Sequence, residues 1–239
     1  MRSPTPKKEN LLLNLACNIA VPTFVLMKLS SEHRLGPVWA LVVALVFPLA
    51  YGIYDFKVRK KTNLFSIIGL ASVLLTGGFG LLKVDGMWFA VKEGAVPLVF
   101  GAAVLISVRT RRPLVREVLY NEQVIDVSKV DAALEQRGQR AEFERLLKRA
   151  SIGLALSFLL SAILNFGLAR YLLTSPAGTE EFNAQLGRMN MLNWPVIVLP
   201  SMVVTMFIFW QLMNGLTRLT GLELDEIFHT SRAKAQPSP

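Results

Sequence analysis

The stretch at residues 151–173 reads SIGLALSFLLSAILNFGLARYLL and decides the fold class. It is almost entirely apolar, and a helix of this length, at 1.5 Å per residue, crosses a hydrocarbon core about 30 Å thick. Five further apolar blocks of similar length are each bounded by charges, Gly or Pro. We therefore predict an all-α polytopic membrane bundle. Its six transmembrane helices are expected at residues 11–29, 37–54, 64–82, 88–108, 151–173 and 194–216.

The composition agrees with a membrane protein. Hydrophobic residues make up 52% of the 239 residues and charged residues only 18%, against about 25% in an ordinary soluble domain. These values argue against a soluble globular enzyme and a disordered chain, and the single cysteine, Cys17, argues against a disulfide scaffold. The net charge of +9 would suggest nucleic acid as the partner of a soluble chain. In a membrane protein, basic loops explain it, so we expect no nucleic-acid partner.

The distribution of basic residues predicts the topology. Residues 1–10, 55–63, 109–150 and 217–239 together hold 20 of the 26 Lys and Arg residues. Because cytoplasmic loops are enriched in these residues, we expect both termini in the cytoplasm. The predicted regions are a tail (1–10), spans one to four (11–108), a cytoplasmic connector (109–150), spans five and six (151–216) and a partly disordered tail (217–239). Residues 174–193 are expected to form a short polar outer loop.

The first apolar block allows a second interpretation. Leu15-Ala16-Cys17 resembles a lipoprotein cleavage box, but the apolar run before Cys17 is too short for a signal peptide. We expect an uncleaved first span.

The connector at 109–150 is charged, and its apolar residues are spaced as in amphipathic helices. Ser128 and Asp131 predict a helix start, Gly138 a helix end, and the run from about Arg140 a helix that continues into the fifth span. We expect these helices at the cytoplasmic surface, facing anionic headgroups or a docking partner. The candidate contacts for headgroups or partners are Lys57, Arg59, Lys60, Lys61, Arg111, Arg112 and Arg149.

Polar and small residues recur at four-residue spacing inside three spans, and such residues share one helix face. They predict either close helix packing or a polar pathway between helices. The fifth span contains Gly153, Ser157, Ser161, Asn165 and Ala169; the third contains Ser72, Thr76 and Gly80; the first contains Asn14, Asn18 and Pro22.

Lys92 and Glu93 are adjacent charges within the fourth apolar block, about 6–8 Å from Trp88 at its outer end. Ionisable groups at such a depth are candidates for a functional site. A lysine this close to an interfacial tryptophan can also extend to the headgroups, so both interpretations stay open. With the three amides, the candidate intramembrane site is Asn14, Asn18, Lys92, Glu93 and Asn165.

The sequence carries no motif for catalysis. There is no H-E-x-x-H, no G-x-S-x-G, no phosphate-binding Gly-rich loop and no cluster with metal-ligand spacing. We therefore predict no enzymatic activity, no catalytic residue, no metal site and no cofactor.

Several short patterns resemble the bacterial intracellular septation protein A family over residues 11–173. They are Asn14 with Met27-Lys28-Leu29, then Leu49-Ala50-Tyr51 before a basic turn, Gly77-Gly78 with Lys83 and Asp85, Lys92, Arg112-Pro113-Leu114, and Leu164-Asn165-Phe166. Two regions depart from the family pattern: the connector 109–150 is longer, and the sixth span with Met202, Met206 and Met213 differs. The protein could therefore belong to a sister branch.

The resemblance implies a multi-pass protein of the bacterial inner membrane, linked to cell division and envelope maintenance. We expect a non-enzymatic scaffold acting through other membrane proteins, with a small transporter or channel and a lipid-handling protein as alternatives; homo-oligomerisation is left open. A scaffold predicts that Lys92 and Glu93 reach the outer headgroups. A transporter predicts that they face a cavity shared with Asn14 or Asn165.

Overall fold

The computed structural model describes residues 15–59, 64–110, 115–116 and 125–228, with all their side chains except those of 55–59 and 64–70. Throughout these residues the regular structure is helical. No strand is formed there, and extended backbone pairs at a single bridge between Ile125 and Phe228. The predicted all-α class is confirmed.

The helices follow the apolar blocks of the sequence. A π-helical turn, Ala16–Ala20, leads into the first helix, and a second, Trp194–Val198, lies between two α-helices in the helical stretch Glu180–Thr220. In chain order the helices are α1 (Val21–Lys28), α2 (Gly36–Arg59), α3 (Leu64–Leu81), α4 (Gly86–Val108), α5 (Val127–Gln136), α6 (Arg140–Leu172), α7 (Glu180–Asn193), α8 (Leu199–Thr220) and α9 (Leu224–Ile227).

Four helical stretches are long and apolar enough to cross a membrane: Gly36–Tyr54, Gly86–Val108, Arg140–Leu172 and Glu180–Thr220. These contain the predicted second, fourth, fifth and sixth spans. The first and third predicted spans fall on apolar helices that are shorter within the described residues, Ala16–Lys28 and Ala71–Leu81. The multi-pass character is supported, whereas the count of six spans and the cytoplasmic termini stay predictions.

The chain divides into two compact units. The first combines Met1–Val96 with Ala162–Val198, and the second combines Pro97–Ser161 with Leu199–Pro239. The core of the first unit centres on Phe89 and Phe182, whose rings meet edge to face with centroids 5.0 Å apart.

In the second unit, α5 packs on α8 and α9. Its fully buried Val130 and Leu134 join Phe143 and Leu147 of α6 in one apolar cluster. The backbone N–H of Asp126 donates to the Ile227 carbonyl at 2.9 Å, which ties the C-terminal segment to the start of α5. The apolar face of this amphipathic helix is therefore covered by protein.

The connector helices start and stop close to the predicted positions. As predicted, Gly138 ends α5 in the left-handed region (φ 63°), and α6 continues from Arg140 into the fifth span. The predicted start at Ser128 is wrong, because Asp126 caps the helix by accepting the N–H of Lys129 at 3.1 Å. An aspartate at this position satisfies an amide that the helix leaves unpaired.

The prediction of an outer loop at residues 174–193 is also wrong, because most of this segment forms α7. Thr179 caps the helix by accepting the N–H of Phe182 at 3.1 Å, and Glu180 and Glu181 occupy its first turn. Phe182 and Leu186 are buried against the first unit's core. Asn183 is also buried, and its amide nitrogen donates to the Pro37 carbonyl at 2.7 Å and the Ser30 hydroxyl at 3.1 Å. Despite the polar composition of this segment, it forms a helix that packs against the core of the first unit.

Candidate intramembrane site

A cavity of about 250 Å³ lies within the first unit, between α1, α2, α3, α4 and α7. We call it the Lys92 cavity. It extends as far as Pro48, which is twelve residues, or about 18 Å, along α2 from Gly36. Its lining residues are Asn18, Pro22, Leu26, Leu41, Ala44, Leu45, Pro48, Ser72, Val73, Thr76, Lys92, Glu93, Leu186, Met189 and Asn190.

Lys92 and Glu93 form an ion pair at this cavity. The Lys92 ammonium lies 2.6 Å from Glu93 Oε1, and the two side chains are 5% and 22% exposed. Adjacent residues on a helix point about 100° apart, so long side chains must converge for such a contact. The Lys92 ammonium is therefore buried within the unit, whereas the Glu93 carboxylate is partly exposed.

Two hydroxyls of α3 complete the surroundings of the ammonium. Lys92 Nζ donates to Thr76 Oγ1 at 2.5 Å and reaches Ser72 Oγ at 3.5 Å. The Thr76 hydroxyl donates its own proton to the Ser72 carbonyl at 2.9 Å, which leaves its lone pairs to accept from the ammonium. The three donors of Lys92 thus have three acceptors, and the buried charge is satisfied.

Two amides add polar groups to the same cavity. Asn18 lies in the π-helical turn before α1, and Asn190 in the last turn of α7. A π-helical turn inside an α-helical segment occurs frequently at functional sites. The cavity therefore combines a cation, an anion, two hydroxyls and two amides within an otherwise apolar wall.

Three of the helices around the cavity carry a proline one turn beyond a lining residue. Pro22 follows Asn18, Pro48 follows Ala44, and Pro97 follows Glu93, each by four residues. Proline has no N–H to donate to the carbonyl four residues earlier, and it bends the helix there. Both α2 and α4 nonetheless continue as helices through Pro48 and Pro97.

The structure brings together three of the five residues proposed for the intramembrane site: Asn18, Lys92 and Glu93. Asn165 is half-buried on α6 and is not among the lining residues of the cavity. Asn14 lies outside the described residues. The serine and threonine of the third-span stripe do face the bundle interior, where they contact Lys92.

Three lining residues were not predicted from the sequence, because the segment 174–193 was expected to be a loop: Asn190, Leu186 and Met189. A signal was present: Thr179 precedes two glutamates, and Phe182, Leu186 and Met189 have the spacing of one helix face.

Of the proposed headgroup contacts, Arg149 is exposed on α6. Lys57 and Arg59 belong to the last turns of α2, in the part whose side chains are not described. Lys60, Lys61, Arg111 and Arg112 lie outside the described residues. Across residues 15–59, 64–110, 115–116 and 125–228, no group of three or more His, Cys, Asp or Glu side chains could hold a metal ion.

Comparison with family models gives no match, and neither do comparisons with curated proteins and with solved structures. The resemblance to septation protein A therefore stays a prediction, and the geometry of the cavity carries the functional argument.

Proposed function

We propose that this multi-pass membrane protein binds a small polar solute in the Lys92 cavity and passes it across the membrane. The observation that carries the proposal is the ion pair between the buried Lys92 and the partly exposed Glu93, which lines a cavity shared with Asn18 and Asn190. The transporter prediction from the sequence required a cavity shared with Asn14 or Asn165. Asn165 does not line the cavity and Asn14 lies outside the described residues, so the support comes from Asn18 and Asn190 instead.

The energetics of the pair favour a role beyond packing. Taking two charges out of water has a large desolvation penalty, and apolar side chains of similar volume can often replace a buried ion pair without loss of stability. Ionisable residues inside membrane proteins are uncommon and generally mark solute or proton pathways. A purely structural bundle could use leucine or methionine at positions 92 and 93.

The size and chemistry of the cavity define the solute class. A volume of about 250 Å³ equals that of about eight water molecules at about 30 Å³ each. The ammonium and the carboxylate, 2.6 Å apart, can exchange their contact with each other for contacts with a molecule that carries both charges. We therefore propose a small zwitterion as the solute.

A scaffold for cell-envelope maintenance or division in the bacterial inner membrane, with both termini cytoplasmic, is the second proposal. The packing of α5, α6 and α9 supports it, because these helices form a charged structure beyond the apolar spans. The surface of this structure carries ion pairs, among them Arg116–Glu144 and Arg140–Asp131. Such a structure can bind partner proteins or anionic lipids.

The two proposals differ in the permeability they give to a vesicle. Purified protein in liposomes is exposed to a hyperosmotic step of glycine, alanine or sucrose, and light scattering follows reswelling. The transporter proposal expects faster reswelling in glycine and alanine than in protein-free liposomes, no acceleration in sucrose, and loss of the effect in Glu93→Gln. The control Lys28→Gln changes an exposed charge that does not line the cavity. Reswelling equal to that of empty liposomes in all solutes would favour the scaffold.

A further inference from the structure

A groove of about 460 Å³ lies in the second unit between α6 and α8. Two guanidinium groups line it, Arg149 from α6 and Arg218 from the last turn of α8, together with the amides of Gln211 and Asn214. We call it the arginine groove.

The local sequence explains how the groove forms. Gln211, Asn214 and Arg218 recur at spacings of three and four residues and therefore share one face of α8. The helices converge beside them at glycine: a Cβ on Gly215 would lie 2.6 Å from a methyl group of Leu146. The backbones of α6 and α8 are close at Gly215. The longer polar side chains beside this contact therefore border an open groove.

The charge of the groove is unbalanced. No carboxylate is among its lining residues, and neither Arg149 nor Arg218 has a hydrogen bond or ion pair within the described part of the chain. Other exposed arginines nearby are paired, for example Arg145 with Glu142 at 2.5 Å. Two unpaired guanidinium groups beside two amides are complementary to an anion with several acceptor oxygens.

The position of the groove identifies the source of that anion. Arg149 directly precedes the apolar part of α6, and Arg218 follows the apolar part of α8, so both lie where a span meets the headgroup layer. Large apolar side chains continue from the groove along the spans, namely the exposed Ile152, Leu156 and Trp210. Acyl chains can pack against this surface, and the indole of Trp210 is suited to the interface.

We propose that the arginine groove binds the phosphate of an anionic phospholipid, with Arg149 and Arg218 as the charged contacts. The lipid lies with its acyl chains along Ile152 and Leu156. This site is formed by the second unit alone and does not depend on the solute proposed for the Lys92 cavity.

Lipid retention measured by native mass spectrometry tests the proposal. The full chain is released from nanodiscs that contain equal amounts of phosphatidylglycerol and phosphatidylcholine. We expect a preference for phosphatidylglycerol that falls about fivefold in Arg149→Gln or Arg218→Gln, and about thirtyfold in the double variant. Lys148→Gln removes the same charge from the adjacent exposed residue, which does not line the groove, and should change the preference less than twofold.

Two results in these variants would overturn the proposal, and a third result, with added phosphate, would do the same. One is an unchanged preference in the double variant; the other is equal loss in Lys148→Gln, which would indicate diffuse attraction to a basic surface. Displacement of the lipid by millimolar inorganic phosphate would show a free-anion site instead.

A second measurement uses chains that keep both arginines, in case the double variant does not fold. Brominated phosphatidylglycerol should quench the fluorescence of Trp210, measured as the difference between the natural chain and Trp210→Phe, at a lower mole fraction than brominated phosphatidylcholine. Equal quenching by both lipids would contradict the proposal.

Discussion

The Lys92 ammonium lies 2.6 Å from the carboxylate of Glu93, its neighbour in the chain, and 2.5 Å from the hydroxyl of Thr76 on the preceding helix, α3. The contact joins α3 to α4 through a buried charge. It makes the two helices dependent on each other at the wall of the cavity, where a solute would exchange contacts with both residues.

Breaking this pair should destabilise the protein more than removing it. Lys92→Met leaves the Glu93 carboxylate without its partner and should lower the free energy of unfolding by about 3 kcal/mol, whereas Lys92→Met with Glu93→Gln should recover most of that loss. Thermal unfolding of the variants in one detergent measures the order of stabilities. Equal losses in the single and double variants would show that the unpaired Glu93 carboxylate costs no stability and would contradict the prediction.

Pro48 should matter for transport more than for folding. Pro48→Ala restores the N–H that the carbonyl of Ala44 lacks and removes a residue that costs about 3 kcal/mol in a helix interior. We expect higher thermal stability with slower reswelling in glycine. The control Pro37→Ala alters a proline in the first turn of α2, where proline is tolerated, and keeps the carbonyl that Asn183 contacts. A similar transport loss in Pro37→Ala would refute a specific role for the bend.

Close packing at Gly86 is a test of the fold of the first unit. A Cβ on Gly86 would lie 2.6 Å from the Leu173 carbonyl oxygen, so Gly86→Ala requires the backbone to shift and should cost about 1–3 kcal/mol. Gly78 has no atom within 4 Å of the corresponding position. Gly78→Ala should therefore raise stability by up to about 1 kcal/mol through helix propensity. Melting temperatures that move in the same direction for both variants would contradict the packing.

The attachment of the C-terminal segment should depend on pH. The hydrogen bond from Lys129, at 2.8 Å, the N–H of Glu223 and the charge of Lys129 hold the pKa of Glu226 below its ordinary value of 4.5. A lowered pKa in the folded state adds stability that is fully present above 4.5 and is lost as the pH falls through the folded value.

Hydrogen exchange can follow this attachment at the Asp126 amide, which donates to the Ile227 carbonyl next to Glu226. After correction for intrinsic exchange, its protection should fall below pH 4.5 in the natural chain and be low and less pH-dependent in Glu226→Gln. Identical pH profiles in both chains would rule out the ion pair as the cause.

Hydropathy and spacing were sufficient for the apolar helices and for part of the site, but not for α7. The apolar blocks gave the helices, and the four-residue spacing of Ser72 and Thr76 correctly placed them toward the interior. The sequence could not tell whether Lys92 extends to the headgroups, because the answer depends on α3, which is separate from it in the chain. Only the fold shows that two hydroxyls of α3 meet the ammonium.

Helix α7 shows why the remainder escaped prediction. The sequence favours a loop at Asn183, because burying an amide without hydrogen-bond partners costs free energy. Its partners, Ser30 and the Pro37 carbonyl, lie 153 and 146 residues away in sequence and are brought to it by folding. The same packing carries Asn190 to the cavity, which no local pattern indicates.

The most direct test of the central claim is whether water reaches the Lys92 cavity inside the membrane. In a Cys17→Ser background, cysteine replaces either Val73, which lines the cavity, or Leu74, which is exposed on the outer face of the same helix. A small membrane-impermeant methanethiosulfonate is then added to protein in liposomes. We expect rapid modification of the cysteine in Val73→Cys, slowed by millimolar glycine, and no modification of the cysteine in Leu74→Cys. An unreactive Val73→Cys beside a correctly folded chain would contradict a solute pathway at Lys92 and Glu93.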